Sequence, residues 1–512
     1  MDQIRRSLRN LSSQQSALLC FLTFSSSAAV LHAEEPRLVS EPYLMAEPAE
    51  TTQVVDAFDE GDPFDMHLSV GYQYSNSSAD VMREIGTAGT MDVARYKETT
   101  HRLNTRADIG LYHDIALVLR MPIILANDRS LDQLGANANG TATAGTSYDG
   151  ATPLFQLPFR APTRSGIEYL AVGLDFGILN QYRDPSKPTW VFGFEGRFDV
   201  STPMHACNAS PATGQVNCAD PGDVDRNGQT TPRVTDPTGI GLEGDALSSR
   251  KAGVSRGTTG LEIHTYVSKR IKYIEPYGGL RMLAEFPRAK SDYNLVDFEA
   301  SLVNKPPLEG SVIVGLAIIP WEVRSEHQRT TIDFRFTSTY RSEGRDYSEM
   351  FDALGSSPAM SLRTPAWSGY QAGTPVADPK TGVVSTPSVI DPGSRKVYFN
   401  GLTDVQQHIK NRVSAEFTWQ AARFVKFAVG TGYTVIQSHY VTYDQACNAN
   451  FTDNPDKSGP CRKDTSSGST APYNVTGIPN PNYRQSINAV GHRYLVSNSN
   501  MLDGWINATV MF

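Results

Sequence analysis

The sequence predicts an all-β chain closed into an antiparallel transmembrane β-barrel of about 12 strands. Two observations predict the strands and their closure: apolar and polar residues alternate strictly in about a dozen runs, and the connections between runs are short and long in turn. Alternation with a period of two places successive side chains on opposite faces, which is a strand. Composition sets the bounds. The chain has 512 residues, a net charge of −8 and a mean hydropathy of −0.34. After the N-terminus no apolar run reaches the ~18 residues that a membrane helix needs, and Val312 to Pro320 is too short. An acidic balance without a dense Lys/Arg block argues against a nucleic-acid partner, since neutralising phosphates takes clustered cations.

Taken in order, Arg5, Arg6 and Arg9 precede an apolar stretch from Ala17 to Leu31, and Leu31-His32-Ala33 precedes Glu34. That is the layout of a secretory signal peptide over residues 1–33. A lipid anchor at Cys20 is disfavoured by Leu19, where a small residue is needed. The strands follow. Met66–Tyr74 is the first; in the second, Arg102, Asn104, Arg106 and Asp108 face opposite to Leu103, Thr105, Ala107 and Ile109. Leu117, Leu119, Met121 and Ile123 alternate with Ala116, Val118, Arg120 and Pro122. Further runs are Leu170–Ile178, Trp190–Val200, Leu261–Val267, Leu280–Phe286, Val312–Ile318, Ile332–Tyr340, Val413–Trp419, Val425–Tyr433 and Ile506–Phe512.

The connections decide between a soluble sandwich and a barrel. Short links at His113-Asp114, Tyr182–Lys187, Lys272–Pro276, Arg324–Arg329 and Ala421–Arg423 alternate with long ones near 126–165, 204–257, 345–411 and 445–503, and shorter ones near 78–92 and 288–308. A sandwich has no reason to put every insertion at one end. Trp190, Trp321 and Trp419 stand at the short-turn ends of their strands, where an aromatic girdle meets lipid headgroups. The chain closes on Ile506, Ala508, Val510 and Phe512 along one face. On these features it resembles the broad class of Gram-negative outer-membrane β-barrels. The resemblance implies short periplasmic turns, long extracellular loops, an exterior in outer-membrane lipid and a C-terminal strand read by the barrel-assembly machinery. The organisation expected is a signal peptide over 1–33, an acidic arm over 34–63 and the barrel over 64–512.

With the apolar face in lipid, the other face lines the interior. The pore-lining candidates are Arg102, Arg106, Arg120, Arg197, Arg281, Arg335 and Lys426 with Asp108, Asp175, Glu195, Asp199, Glu262, Glu285, Asp333 and Glu416, together with His264; Arg341 and Arg412 complete the cations. Nine cations against eight anions predict mutual pairing and weak ion selectivity. Residues 34–65 hold ten acidic residues and one Arg, too acidic to form a core alone. They are a flexible periplasmic arm or a plug that meets lumen arginines.

Cys207 and Cys218, and Cys447 and Cys461, form two close pairs in an exported chain and read as disulfides within two loops. Asp223, Asp225 and Asn227 with Gly228 match the start of a calcium loop, but position twelve is Val234 instead of the bidentate Glu. A structural Ca²⁺ there is the one cofactor the sequence suggests, and a plain polar turn is favoured. No catalytic residue is assigned. His264 with Glu262 and Ser268 is the nearest approach to an acid–base set, and no nucleophile elbow or H-E-x-x-H motif accompanies it. The expected function is a passive outer-membrane channel for small polar solutes. The alternative is a non-conducting surface protein whose long loops bind or build.

Overall fold

In the computed structural model of the chain the described residues are 49–55, 57, 64–84, 89–135, 155–209, 216–218, 251–288, 291–294, 305–356, 400–442 and 493–512, with short strand segments within 363–398 and 462–479. Twelve long strands, numbered as barrel strands, are β1 (Met66–Glu84), β2 (Thr90–Tyr112), β3 (Ile115–Gln133), β4 (Leu170–Leu179), β5 (Thr189–Phe198), β6 (Thr258–Ser268), β7 (Ile274–Pro287), β8 (Glu309–Val323), β9 (Gln328–Arg341), β10 (His408–Ala422), β11 (Val425–Ile436) and β12 (Tyr494–Met511). Each pairs antiparallel with the next. β12 returns to β1, with Val510 opposite Leu68 and Val496 opposite Val81, so the sheet has no free edge. In lipid only closure satisfies every backbone N–H and C=O of a sheet.

Alternation becomes an outside and an inside. Leu68 and Val70, Phe192 and Phe194, Val312 and Val314, Phe334 and Phe336, Val413 and Phe417, and Ile506 are all exposed on the exterior. Their neighbours Glu195, Ser311 and Thr509 are buried inside. Withdrawing each such large apolar side chain from water is worth about 1.5–3 kcal/mol, and only lipid does so for a whole belt. This is a bacterial outer-membrane barrel. Trp190 and Trp419 are exposed near the periplasmic rim and Trp321 is half-buried there. Trp190 Nε1 donates to Thr265 Oγ1 at 2.8 Å.

Three expected boundaries are corrected: strand runs on to Gln133 within the connection placed near 126–165, begins at Tyr494 within the one placed near 445–503, and replaces a third. The connection placed near 78–92 is paired strand: β1 runs on to Glu84 and β2 begins at Thr90, and Ala79 registers with Tyr96. A spanning strand needs only ~9–11 residues, so β1–β3 rise above the membrane. Lipid no longer imposes alternation there, and the Ser/Asn run hides the ladder.

That raised end is filled. Met350, Ala353 and Leu354, on or beside a short helix (Phe351–Gly355), pack against Ala79, Val81, Tyr96, Leu131, Tyr494 and Val496 of β1, β2, β3 and β12. A second cluster joins Met204, Ala206, Tyr293, Phe351 and Leu402 from three connections. The extracellular loops therefore fold inward. Cys207 and Cys218 are disulfide-bonded across a two-stranded ribbon in one of them. Cys447, Cys461 and the stretch with Asp223, Asp225 and Asn227 lie outside the described residues, as does 1–33.

Candidate functional site: the barrel lumen

The first charged wall comes from β3 to β6. Glu195 on β5 registers with Gly173 on β4 and with Glu262 on β6, which sets inward side chains at one height. Arg120 Nε donates to Glu195 Oε2 at 2.5 Å, and its guanidinium lies 3.6 Å from Glu262. Arg197 Nε donates to Glu195 Oε1 at 3.1 Å, and Arg197 also pairs with Glu262. His264 Nε2 stands 3.0 Å from Asp175 Oδ1, and its Nδ1 3.8 Å from Glu262. The space for that pair exists because residue 193 between them is Gly; a Cβ there would strike both the Asp175 carboxylate and the His264 ring. Ser268 joins no acid–base set with His264: its hydroxyl lies 3.0 Å from that of Thr52.

The second wall comes from β7 to β12. Tyr277 Oη donates to Asp333 Oδ1 at 2.7 Å and accepts from Arg335 Nε at 2.8 Å. Arg412 reaches Asp503 at 2.6 Å, and Trp505 Nε1 donates to Glu416 Oε2 at 2.5 Å. Trp505 lies flat on the sheet where β11 offers Gly430, since a Cβ there would enter the indole. Sequence reasoning missed Asp503, Trp505 and Tyr277, whose roles depend on cross-strand register.

Between the walls lies a cavity of about 660 Å³. Of the candidates, Arg106, Asp108, Arg120, Arg281, Asp333, Arg335, Glu416 and Lys426 line it. Asp175, Glu195, Arg197, Glu262 and His264 belong to the wall's ion pairs and are not among its lining. Arg102 pairs with Glu168 at 3.0 Å. Two candidates sit at the extracellular rim. Asp199 follows the end of β5 and stands 3.9 Å from Arg288, and Glu285 accepts from Arg256 Nε at 3.0 Å and from Thr258 Oγ1 at 2.8 Å. The alternation that assigned Asp199 continues past the strand's end.

Residues 49–55 lie against the inner wall near the short-turn ends of the strands. Ala49 N donates to Glu275 Oε2 at 3.1 Å, Val54 and Val55 pack on Ala116 and Val191, and Ala49 packs on Tyr277 and Ile313. Thr51, Gln53 and Val55 border the cavity. The contacts of residues 49–55 include the Glu275 carboxylate, the Ser268 hydroxyl and apolar side chains.

The extracellular closure holds further deeply buried charges. Arg164 and Asp352 pair at 2.5 Å with side chains 1% and 5% exposed; Asp352 also accepts from Cys207 N at 3.1 Å, and Arg164 donates to the His205 carbonyl at 2.8 Å. Arg345 and Asp404 pair at 3.3 Å, both wholly buried. Arg256 reaches Asp346 at 2.8 Å, and Tyr293 Oη donates to Asp346 Oδ1 at 2.9 Å. Burial pushes the Tyr293 hydroxyl well above the ordinary phenol range. The signal for this lid was present in the apolar spacing Tyr347, Met350, Phe351, Leu354, one face of a helix.

No family model and no curated protein matches the chain. Among solved structures it is similar to an outer membrane channel from Pseudomonas putida F1, at 9% identity and a TM-score of 0.34, over 89% of this chain and 100% of that one. A FadL homologue from Pseudomonas aeruginosa aligns at 8% identity and a TM-score of 0.30, over 87% of this chain and 90% of that one. The outer membrane protease OmpT from Escherichia coli aligns at 7% identity and a TM-score of 0.25, over 88% and 99%. The barrel's own geometry carries the functional reading.

Proposed function

We propose that the protein is a passive channel for small polar solutes across the outer membrane. The observation that carries this reading is the cavity of about 660 Å³ between two charged walls, room for a small hydrated solute in the middle of a barrel. A barrel whose only task was to present loops would gain from filling that space with apolar side chains. The arm narrows one end and the folded loops narrow the other, so passage takes place through a constricted path. In the same reading the apolar exterior meets lipid, the last strand is presented to the assembly machinery, residues 1–33 are removed on export, and no chemistry is performed on the solute.

Planar-bilayer recording on the mature protein, and on a form lacking residues 34–57, tests this. Discrete conductance steps are expected, several-fold larger once the arm is gone. If neither form conducts, the surface-protein reading replaces the channel. That second reading draws on the lid, whose loops pack into a fixed core of the kind that would hold a recognition surface in one shape.

A further inference from the structure

The charges that balance along the sequence do not balance on the cavity wall. Among the described residues the cavity is lined by seven Arg and Lys side chains and three carboxylates. The reason lies in how the ion pairs are oriented. In the pair of Arg120 with Glu195 the arginine side chain is 29% exposed and the glutamate side chain 3%; for Arg412 with Asp503 the figures are 32% and 0%. Asp108 and Asp333 are likewise more deeply set than Arg106 and Arg335. Each carboxylate sits back against the sheet, and each guanidinium stands forward from it. Lys410 and Lys426 add two ammonium groups to the same surface.

We propose that the cavity is a binding chamber for small oxyanions, solutes bearing a carboxylate, phosphate or sulfate group. A guanidinium has five N–H donors in a planar fork, and the recessed partners of Arg106, Arg120 and Arg412 leave part of each side chain exposed. A bound oxyanion would accept hydrogen bonds from the forward faces of Arg106, Arg120 and Arg412. The recessed carboxylates fix those forks in place, so little side-chain entropy is lost on binding. They also cancel most of the field at a distance, beyond a Debye length of about 8 Å. Selection thus occurs at contact: an anion meets donors first, and a cation meets a positive surface with its counter-charges behind it. Solutes of this class are small, polar and charged, so the proposal refines the channel reading and rests on it for passage, though not for binding.

Two measurements separate the parts. Calorimetric titration of inorganic phosphate into the full-length mature protein in detergent, at low ionic strength, is expected to show saturable binding that weakens at least tenfold in the double variant Arg106→Gln, Lys410→Gln. Unchanged heat-dependent gel mobility of that variant shows that the barrel is intact. In a bilayer under a potassium chloride gradient, the reversal potential is expected to have the sign of anion preference and to move toward zero in the variant. Absence of phosphate binding, equal binding by the variant, or a cation-preferring reversal potential would overturn the chamber. A barrel that binds phosphate without conducting removes the passage reading alone; one that conducts without preference and binds no phosphate removes the chamber alone.

Discussion

Arg164 and Asp352 show how much depends on single side chains in the lid. The pair is almost fully buried, so its Coulombic gain is largely offset by the cost of dehydrating both ions. Removing one partner is a different matter, because the other charge stays behind. Asp352→Ala is therefore expected to cost about 3–5 kcal/mol locally and to open the extracellular loops to limited proteolysis while the barrel keeps its gel mobility. The double variant Arg164→Met, Asp352→Leu should recover most of the loss; equal sensitivity in the single and double variants would show that the charge itself was not the cause. Gly193 makes a second case. A side chain there collides with Asp175 and His264, and forcing extra atoms into a packed site costs about 1–3 kcal/mol. Gly193→Val should lower the denaturant midpoint by a corresponding amount. Gly310→Ala is the control, since its Cβ would meet nothing within 4 Å, and it should leave the midpoint unchanged. Neither Gly193 nor Asp352 stands out in the sequence, because each acts through a partner set by register or by a distant loop.

At the scale of elements, the parts of each strand that were legible are those in lipid. Phe192, Phe194 and Phe198 against Glu195 and Arg197 read clearly because two immiscible surroundings meet on one strand. Above the membrane, Ser75–Glu84 has water on one side and packed loops on the other, so its pairing with β2 left little trace. Beyond the helical spacing from Tyr347 to Leu354 the lid left little trace for a related reason: Met204, Tyr293, Phe351 and Leu402 come from three connections and meet only in three dimensions. One consequence of that assembly is a dependence on pH. Burial raises the Tyr293 hydroxyl in the folded lid, whereas in an opened lid it ionises near the ordinary value of about 10. The stabilisation is thus fully present below about pH 10 and is lost progressively as pH rises further. Proteolysis of the extracellular loops should be slow at pH 8 and faster above pH 10.5, and Tyr293→Phe should shift that alkaline opening upward. An opening that follows the same profile in wild type and variant would exclude Tyr293 as its cause.

For the whole molecule, the sequence carried the strand number and closure because these follow from a repeated two-residue period and from which connections are short. The site was legible only as a set of inward charges. Arg106, Arg120 and Arg335 could be assigned to a face, but which of them stand forward and which carboxylates recede depends on packing depth, and no alternation pattern encodes depth. The architecture has a direct spectroscopic expectation: far-ultraviolet circular dichroism of the detergent-solubilised mature protein should be dominated by strand, with helix well under a third, and unheated protein should migrate differently from boiled protein. A helix-dominated spectrum would refute the barrel.

The seam between β1 and β12 has a further, kinetic consequence. Ser69 and Thr509 bond across it at 2.8 Å although they are 440 residues apart along the chain. For a random coil, closing a loop some hundred times longer than a hairpin turn costs about 4 kcal/mol more by the logarithmic rule, and contacts of such long range slow folding. The penalty shrinks if the eleven neighbouring pairings form first, because a sheet that curls as it grows brings its own first and last strands together. Until then β1 and β12 are open templates for a strand from another chain. The order of events is thereby set by geometry: hairpins first, seam last, with the interval between them the time in which the nascent sheet is most exposed to association with the wrong partner.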